Sequence, residues 1–301
     1  MIDPLADIVT LLQPSARFSK LVLASGPWHI ARSDAGQPFY CVVLEGECRI
    51  TVQEGDPVDL RTGDFVLVPA VHDFVMSSLE TLPGQDTSVP VVLGEGKVRM
   101  GSADGPVDLR MLVGHCGFDS PDSELLVSLL PRFVHVRDEP RLARLVELVG
   151  EESRAQRPAR DVVLSRLLEV LFIEALRSTA ETTATPGLVR GLSDARIAGV
   201  LRAMHEHPSR AWTMAELAEV AALSRSAFFE RFRKTVGVAP MTYLLAWRMD
   251  LARQWLRQGQ RRIAEIAERV GYRSTSAFSV AFTRCVGQSP ARYARGGDSS
   301  G

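Results

Sequence analysis

At 301 residues, 46% of them hydrophobic, the chain exceeds a typical single domain and predicts two, with enough apolar surface for a core in each. It contains no run of about 18 or more apolar residues, and no basic start leading into an apolar stretch and a small-residue cleavage site. A membrane-spanning reading is thereby excluded and a cytoplasmic protein expected. The formal net charge of −1 conceals a bipolar molecule: residues 1–189 hold 17 Lys+Arg against 27 Asp+Glu (−10), whereas residues 190–301 hold 18 against 9 (+9). Only the second half suits a polyanion, since neutralisation of phosphates by Lys and Arg supplies the sequence-independent part of DNA affinity.

From Phe18 to Phe118 the chain is written in short β-type runs, FYCVVLEG, ECRITVQ, DFVLVPA and DLRMLVGHCGF, punctuated by Gly, Asp or Pro. That pattern predicts an antiparallel sandwich or barrel. Residues 81–107 hold five Gly and three Pro and predict a mobile excursion between strands. Cys41, Cys48, Cys116 and Cys285 form no CxxC pair, no zinc-finger spacing and no dense disulfide pattern, and most of them read as small buried hydrophobes.

Beyond Pro121 the periodicity turns helical. Asp122 or Ser123 is placed to cap LLVSLL, and Leu142, Leu145, Val146 and Val149 form one stripe of the next helix. In VVLSRLLEVLFIEALR, Leu164, Leu167, Leu168, Leu171 and Ala175 share a face, while Val163, Val170 and Phe172 leave little polar surface. Such a helix must be covered on more than one side, by the barrel or by another subunit. The run STAETTATPG, from Ser178 to Gly187, reads as an interdomain linker.

The basic part writes one amphipathic helix twice. Ser226, Ala227, Phe228, Phe232, Gly237, Pro240 and Tyr243 recur as Ser276, Ala277, Phe278, Phe282, Gly287, Pro290 and Tyr293. Upstream, AELAEVA from Ala215 recurs as AEIAERV from Ala264, so the offset there is 49 rather than 50 and the second copy carries one extra turn residue. A helix, a tight turn and a second helix is the helix-turn-helix plan, whose second helix enters the major groove.

In the first copy Ala227, Phe228, Phe232 and Val236 are expected to face inward, leaving Arg225, Ser226, Phe229, Glu230, Arg233 and Lys234 outside. Arg225 and Ser226, at the helix start, suit base edges; Phe229 suits a thymine methyl. Glu230 suits either a cytosine amino group or an ion pair with Arg233 or Lys234, and those two cations suit phosphates. In the second copy Ala277, Phe278, Ala281 and Phe282 are expected inside. Thr275, Ser276, Ser279, Val280 and Thr283 then face out, with Arg273 and Arg284 on phosphates. That face is small and nearly uncharged, and predicts fewer base contacts.

These residues carry a resemblance. The run PMTYLLAWRMDLARQWL from Pro240, followed by IAEIAERVGYRSTSAFSVAFTRCVGQSPARYAR from Ile263, resembles the signature of the AraC/XylS family of bacterial transcription regulators. The resemblance spans residues 193–296 and implies two helix-turn-helix units joined by the long helix that contains Trp247 and Arg248. FYCVVLEGECRITV, GDFVLVPAVHDF and DLRMLVGHCGF also resemble the cupin-type sensor domain of one branch of that family. The family implies a dimeric or dimerisable regulator of promoter DNA, with RNA polymerase as an expected partner and a signal sensed at the N-terminal domain.

Enzymatic cupins commonly hold a metal with histidines and a carboxylate from neighbouring strands. Here no His-x-His stands near Gly46, where Phe39, Tyr40 and Cys41 are found; His72 survives from the second motif, with His29 and His115 elsewhere. Neither catalysis, a metal nor a cofactor is expected. The candidates for an effector or redox response are Cys41, Cys48, His72 and Cys116, the thiols needing a nearby positive group to become reactive. Small-molecule binding inside the barrel is the favoured signal route. A metal-dependent cupin enzyme fused to a DNA-targeting module, and a sensorless regulator whose barrel only dimerises, are the rival readings.

The expected fold class is α+β multidomain: an N-terminal cupin-like antiparallel β-barrel with a helical dimerisation segment, and a C-terminal all-α double helix-turn-helix domain. The corresponding boundaries are 1–120 for the barrel, 121–178 for the helical segment, 179–192 for the linker and 193–296 for the DNA-binding domain.

Overall fold

The computed structural model describes residues 3–32, 38–53, 55–69, 73–80, 88–94, 96–118, 127–155, 157–179 and 186–296. It divides into two compact units, one comprising residues 13–119 and 130–182, the other residues 1–12, 120–129 and 183–301. His72, residues 81–87, and the capping candidates Asp122 and Ser123 lie outside the described residues.

The first unit is a two-sheet barrel. Its strands are β1 (Pro14–Ser25), β2 (His29–Arg32), β3 (Phe39–Glu45), β4 (Glu47–Val52), β5 (Val58–Arg61), β6 (Phe65–Val68), β7 (Phe74–Ser77), β8 (Val91–Gly94), β9 (Lys97–Gly101), β10 (Leu109–Phe118) and β11 (Val134–Val136). One sheet runs β11-β6-β3-β10-β1-β9-β8 and the other β2-β7-β4-β5. Alternation fills the interior: Phe39, Cys41 and Val43 of β3 and Cys48 and Ile50 of β4 point into one apolar core with Val22, Met76 and Met111. The intervening Tyr40 and Val42 are also buried, because two helices, α2 (Pro140–Arg154) and α3 (Arg160–Ser178), cover the outer side of the larger sheet. Tyr40 needs Gly114 opposite it in β10, since a Cβ there would stand 2.0 Å from the ring.

One expectation for this unit is corrected. Within 81–107, Val91–Gly94 and Lys97–Gly101 form an antiparallel hairpin, and β9 joins β1 in parallel. Val98 and Met100 belong to the core, and their burial outweighs the glycines on either side. Helix α3 packs Leu164, Leu168, Leu171 and Phe172 inward, while Val162, Val163 and Val170 are 62%, 41% and 40% exposed in the single chain.

The second unit is helical: α1 (Pro4–Leu12), α4 (Leu188–Ser193), α5 (Ala195–Glu206), α6 (Met214–Val220), α7 (Arg225–Val236), α8 (Pro240–Gln258), α9 (Ile263–Arg269), α10 (Thr275–Val286) and α11 (Pro290–Gly296). The N-terminal α1 packs on α5 and α8 with Leu5, Ile8, Val9, Leu11 and Leu12 buried, so the first residues of the chain belong with the last hundred. The end of the expected linker is likewise packed structure: Leu188, Val189 and Gly191 of α4 are buried against α5 and α7. Among the described residues no helix is long and apolar enough to cross a membrane.

Candidate nucleic-acid interface

Each recognition helix begins at a serine whose hydroxyl accepts from the backbone three residues on. Ser224 Oγ takes the Ala227 N–H at 3.3 Å, and Ser274 Oγ takes the Ala277 N–H at 3.1 Å. This satisfies one of the N–H groups a helix leaves open at its start. The turns before these caps are also equivalent. Leu223 N–H donates to Ala218 O at 2.9 Å and Tyr272 N–H to Ala267 O at 2.8 Å, across residues with positive φ, Ala222 (51°) and Gly271 (82°). Four residues, 221–224, separate α6 from α7 and five, 270–274, separate α9 from α10, the additional one being Arg273. Both helices end on a glycine with positive φ, Gly237 (92°) and Gly287 (79°), whose N–H returns to Arg233 and Thr283. Glycine holds this left-handed cap without the Cβ penalty.

Phe228 and Phe232 anchor α7, and Phe278 and Phe282 anchor α10, all four with no exposed surface. Burying side chains of this size stabilises by roughly 1.5–3 kcal/mol each. Arg225, Ser226, Glu230, Arg233 and Lys234 are exposed on α7, and Phe229 is half-buried. Glu230, Arg233 and Lys234 line one open surface depression, with no ion pair between Glu230 and either cation. Around α10, Arg273, Thr275, Ser276, Val280 and Arg284 are exposed and Ser279 is half-buried. Ala227 and Ala277, expected inside, are exposed instead: each sits in the first turn, which protrudes beyond the buried phenylalanine that follows it.

Arg231, also on α7, is committed elsewhere. Its Nε donates to Asp194 Oδ2 at 2.7 Å, while Asp194 Oδ1 caps α5 by accepting from Arg196 and Ile197. Partial burial alone would raise the Asp194 carboxyl; Arg231 and the helix-start N–H groups outweigh it and hold the group below the usual range.

The two helix-turn-helix elements are tied by Arg248 of α8, a role the sequence did not disclose. Its Nε donates to Pro208 O at 2.7 Å and its Nη2 to Arg210 O at 2.6 Å, in the loop before α6. On its other side lies Gly271, in the turn of the second element: a Cβ there would stand 2.9 Å from Arg248 Nη2 and 2.8 Å from Ser209 O. The same guanidinium therefore spaces one element from the other, and a larger residue at 271 would separate them. Burial lowers the Arg248 pKa, with Tyr272 acting in the opposite direction.

In the barrel, Cys41, Cys48 and Cys116 are free thiols with no exposed surface, whereas Cys285 of α10 is exposed. Burial, followed by neighbouring Cys48 and Asp64, pushes Cys41 well up; burial, then Asp64 and Asp59, pushes Cys48 up to about 12; burial also raises Cys116. These are the surroundings of inert packed thiols, opposite to those that stabilise a reactive thiolate. Among the described residues no group of three or more His, Cys, Asp or Glu side chains could hold a metal ion.

A basic helical unit with two capped helix-turn-helix elements, on a chain whose other unit is a cupin-like barrel, is the build of a DNA-binding regulator. Residues 3–181 match the Cupin family and residues 217–296 the Helix-turn-helix domain family. Over 300 residues the chain is 36% identical to a putative AraC-like transcription regulator of Streptomyces antibioticus, covering 97% of this chain and 98% of that one. A putative AraC-like transcription regulator of Streptomyces lividans is 35% identical over 300 residues, 97% of each chain. The HTH-type transcriptional regulator AlkR of Acinetobacter baylyi is 29% identical over 285 residues, 90% of this chain and 92% of that one. The chain belongs to the AraC-like transcription regulators.

Proposed function

We propose that this regulator lays α7 and α10 into successive major grooves on one face of a promoter, and that a small molecule in the barrel controls the outcome. The observation that carries the first part is the repeated turn and cap geometry of the two elements, spaced by Arg248 within one unit. Successive grooves lie roughly 34 Å apart on B-DNA. Arg225 and Ser226 read base edges in one groove, Phe229 meets a thymine methyl, Glu230 accepts from a cytosine amino group, and Arg233 and Lys234 hold phosphates. In the other groove Thr275, Ser276, Ser279 and Val280 supply hydroxyl and methyl contacts, with Arg273 and Arg284 on phosphates.

The internal cavity of the barrel supports effector binding, and the burial of its three thiols favours that route over oxidation. Exposed Val162, Val163 and Val170 support a homodimer contact along α3. The protein acts by binding in the cytoplasm, alongside RNA polymerase, and not as an enzyme. In this reading residues 13–120 and 121–178 regulate and residues 193–296 bind DNA, with α1 (Pro4–Leu12) and α4 joined to the latter.

Protection of a cognate promoter by the full chain tests this. Each chain should cover about 20 base pairs, two turns of about 10.5. Protection confined to a single groove per chain would refute the two-groove reading.

A further inference from the structure

Between its two sheets the barrel contains a cavity of ≈ 40 Å³. Met76, Met100 and Met111 form much of its wall, with Val22, Ile30 and Val113, all at most 9% exposed. One end is different. Strand register sets Arg32, the last residue of β2, opposite Phe74, the first of β7, and sets Phe39, the first of β3, opposite His115 of β10. The Phe39 ring lies 4.5 Å from that of Phe74 and 5.3 Å from the His115 imidazole, so these four residues form one connected rim. Lys20, two residues before Val22 on the inward side of β1, lines the same cavity.

Two cations and an imidazole thus border an apolar space, and no carboxylate, hydroxyl or amide side chain is among its described walls. This occurs in the half of the chain that carries an excess of ten negative charges. Arg32 makes no ion pair with any described residue. Apolar pockets with a few convergent polar groups orient a ligand by those groups, and guanidinium pairs with carboxylate in a fixed fork. A polyhydroxylated ligand is disfavoured, because its hydroxyls would be buried against methionine and valine without partners.

We infer that the cavity takes a short-chain aliphatic carboxylate, with the charged end at Arg32 and Lys20 and the hydrocarbon among the three methionines. The small volume limits the body to a few carbon atoms, and unbranched thioether side chains can shift to fit it. This rests on the barrel being the sensor, and the two ideas fail separately.

Calorimetry of the full chain with propanoate, propan-1-ol and propylammonium compares three head groups on one body. Propanoate should bind, propan-1-ol roughly tenfold or more weakly, as expected for loss of a charge-assisted hydrogen bond, and propylammonium not detectably. Arg32→Gln should cost propanoate a similar factor while leaving propan-1-ol within about twofold; Lys20→Gln is the second variant should the first fail to fold. Equal binding of propan-1-ol, preference for propylammonium, no binding of propanoate, or unchanged propanoate affinity in both variants overturns the inference. If propanoate binds but leaves promoter affinity unchanged, the sensor reading falls and the carboxylate site stands. If propan-1-ol instead binds best and shifts promoter affinity, the sensor reading stands and the carboxylate site falls.

Discussion

Asp7 Oδ2 lies 2.9 Å from Nδ1 of His205, joining the N-terminal helix α1 to the core of the first helix-turn-helix element. The other ring nitrogen, Nε2, is 2.8 Å from the Tyr243 hydroxyl, and the imidazole stacks on Trp247 at 3.8 Å between centroids. Burial raises the Tyr243 pKa, so its O–H donates to Nε2 and the Nδ1–H donates to Asp7. Burial also lowers the His205 pKa from 6.5, overcoming the opposite pull of Asp7 and Asp3. The fold therefore prefers neutral imidazole: its contribution is complete above about pH 6.5 and is lost as pH falls toward the lower folded pKa. Urea titrations should show stability declining below about pH 6.5, and less so in His205→Gln. Asp7→Ala should cost about 1–3 kcal/mol by leaving a buried donor without its acceptor.

If α7 docks as proposed, Arg225→Ala should relax sequence preference in one groove at a cost of about 1–3 kcal/mol, because the first position of a recognition helix is placed to meet base edges. Lys234→Ala should weaken all sequences alike and flatten the log–log salt dependence by about one unit. Binding measured across a set of promoter variants and salt concentrations separates the two. An Arg225 variant with unchanged preference would remove that residue from base reading.

Arg248→Met should leave both recognition helices capped yet loosen the distance between them. Wild-type protein should distinguish the natural promoter from one with about three base pairs inserted between the two grooves, a rotation of roughly a quarter turn or more. The variant should discriminate less, with the loss concentrated in the natural promoter. Equal losses on both DNAs would assign Arg248 to stability alone.

Under native conditions iodoacetamide should modify Cys285 and spare Cys41, Cys48 and Cys116, as mass spectrometry of the labelled chain would reveal. The three barrel thiols are buried and held protonated, and alkylation requires an accessible thiolate. Rapid labelling of any of the three would revive an oxidant response.

Val163→Asp combined with Val170→Asp should shift the full chain toward monomer in sedimentation at micromolar concentration, since both side chains are already 41% and 40% exposed and the monomer loses little by the change. A distribution identical to wild type would place any dimer contact elsewhere.

The DNA-binding half was legible in the sequence because its signals are local. Serine caps, a phenylalanine every fourth residue and a closing glycine each act within one helix, so the echo between Ser226 and Ser276 translated directly into equivalent turns. The extra residue of the second copy was legible too, as the change of offset, and falls at Arg273. Local reasoning failed at Ala227 and Ala277, whose periodicity is apolar but whose place in a protruding first turn leaves them in water.

The amino-acid sequence by itself determined the two-part organisation, the bipolar charge, an antiparallel sandwich or barrel in the first part and the duplicated amphipathic helix, all of which follow from composition, period and repetition. Only the tertiary structure decided that Pro4–Leu12 joins the C-terminal bundle, that Lys97–Gly101 runs parallel to β1, that Arg248 spaces the two elements and that Lys20, Arg32 and His115 border one cavity. Each of these depends on residues far apart in the chain, up to 198 positions between Asp7 and His205. Burial and hydrogen-bond pairing between such residues are set when the chain closes on itself, and leave no periodic trace in any one segment.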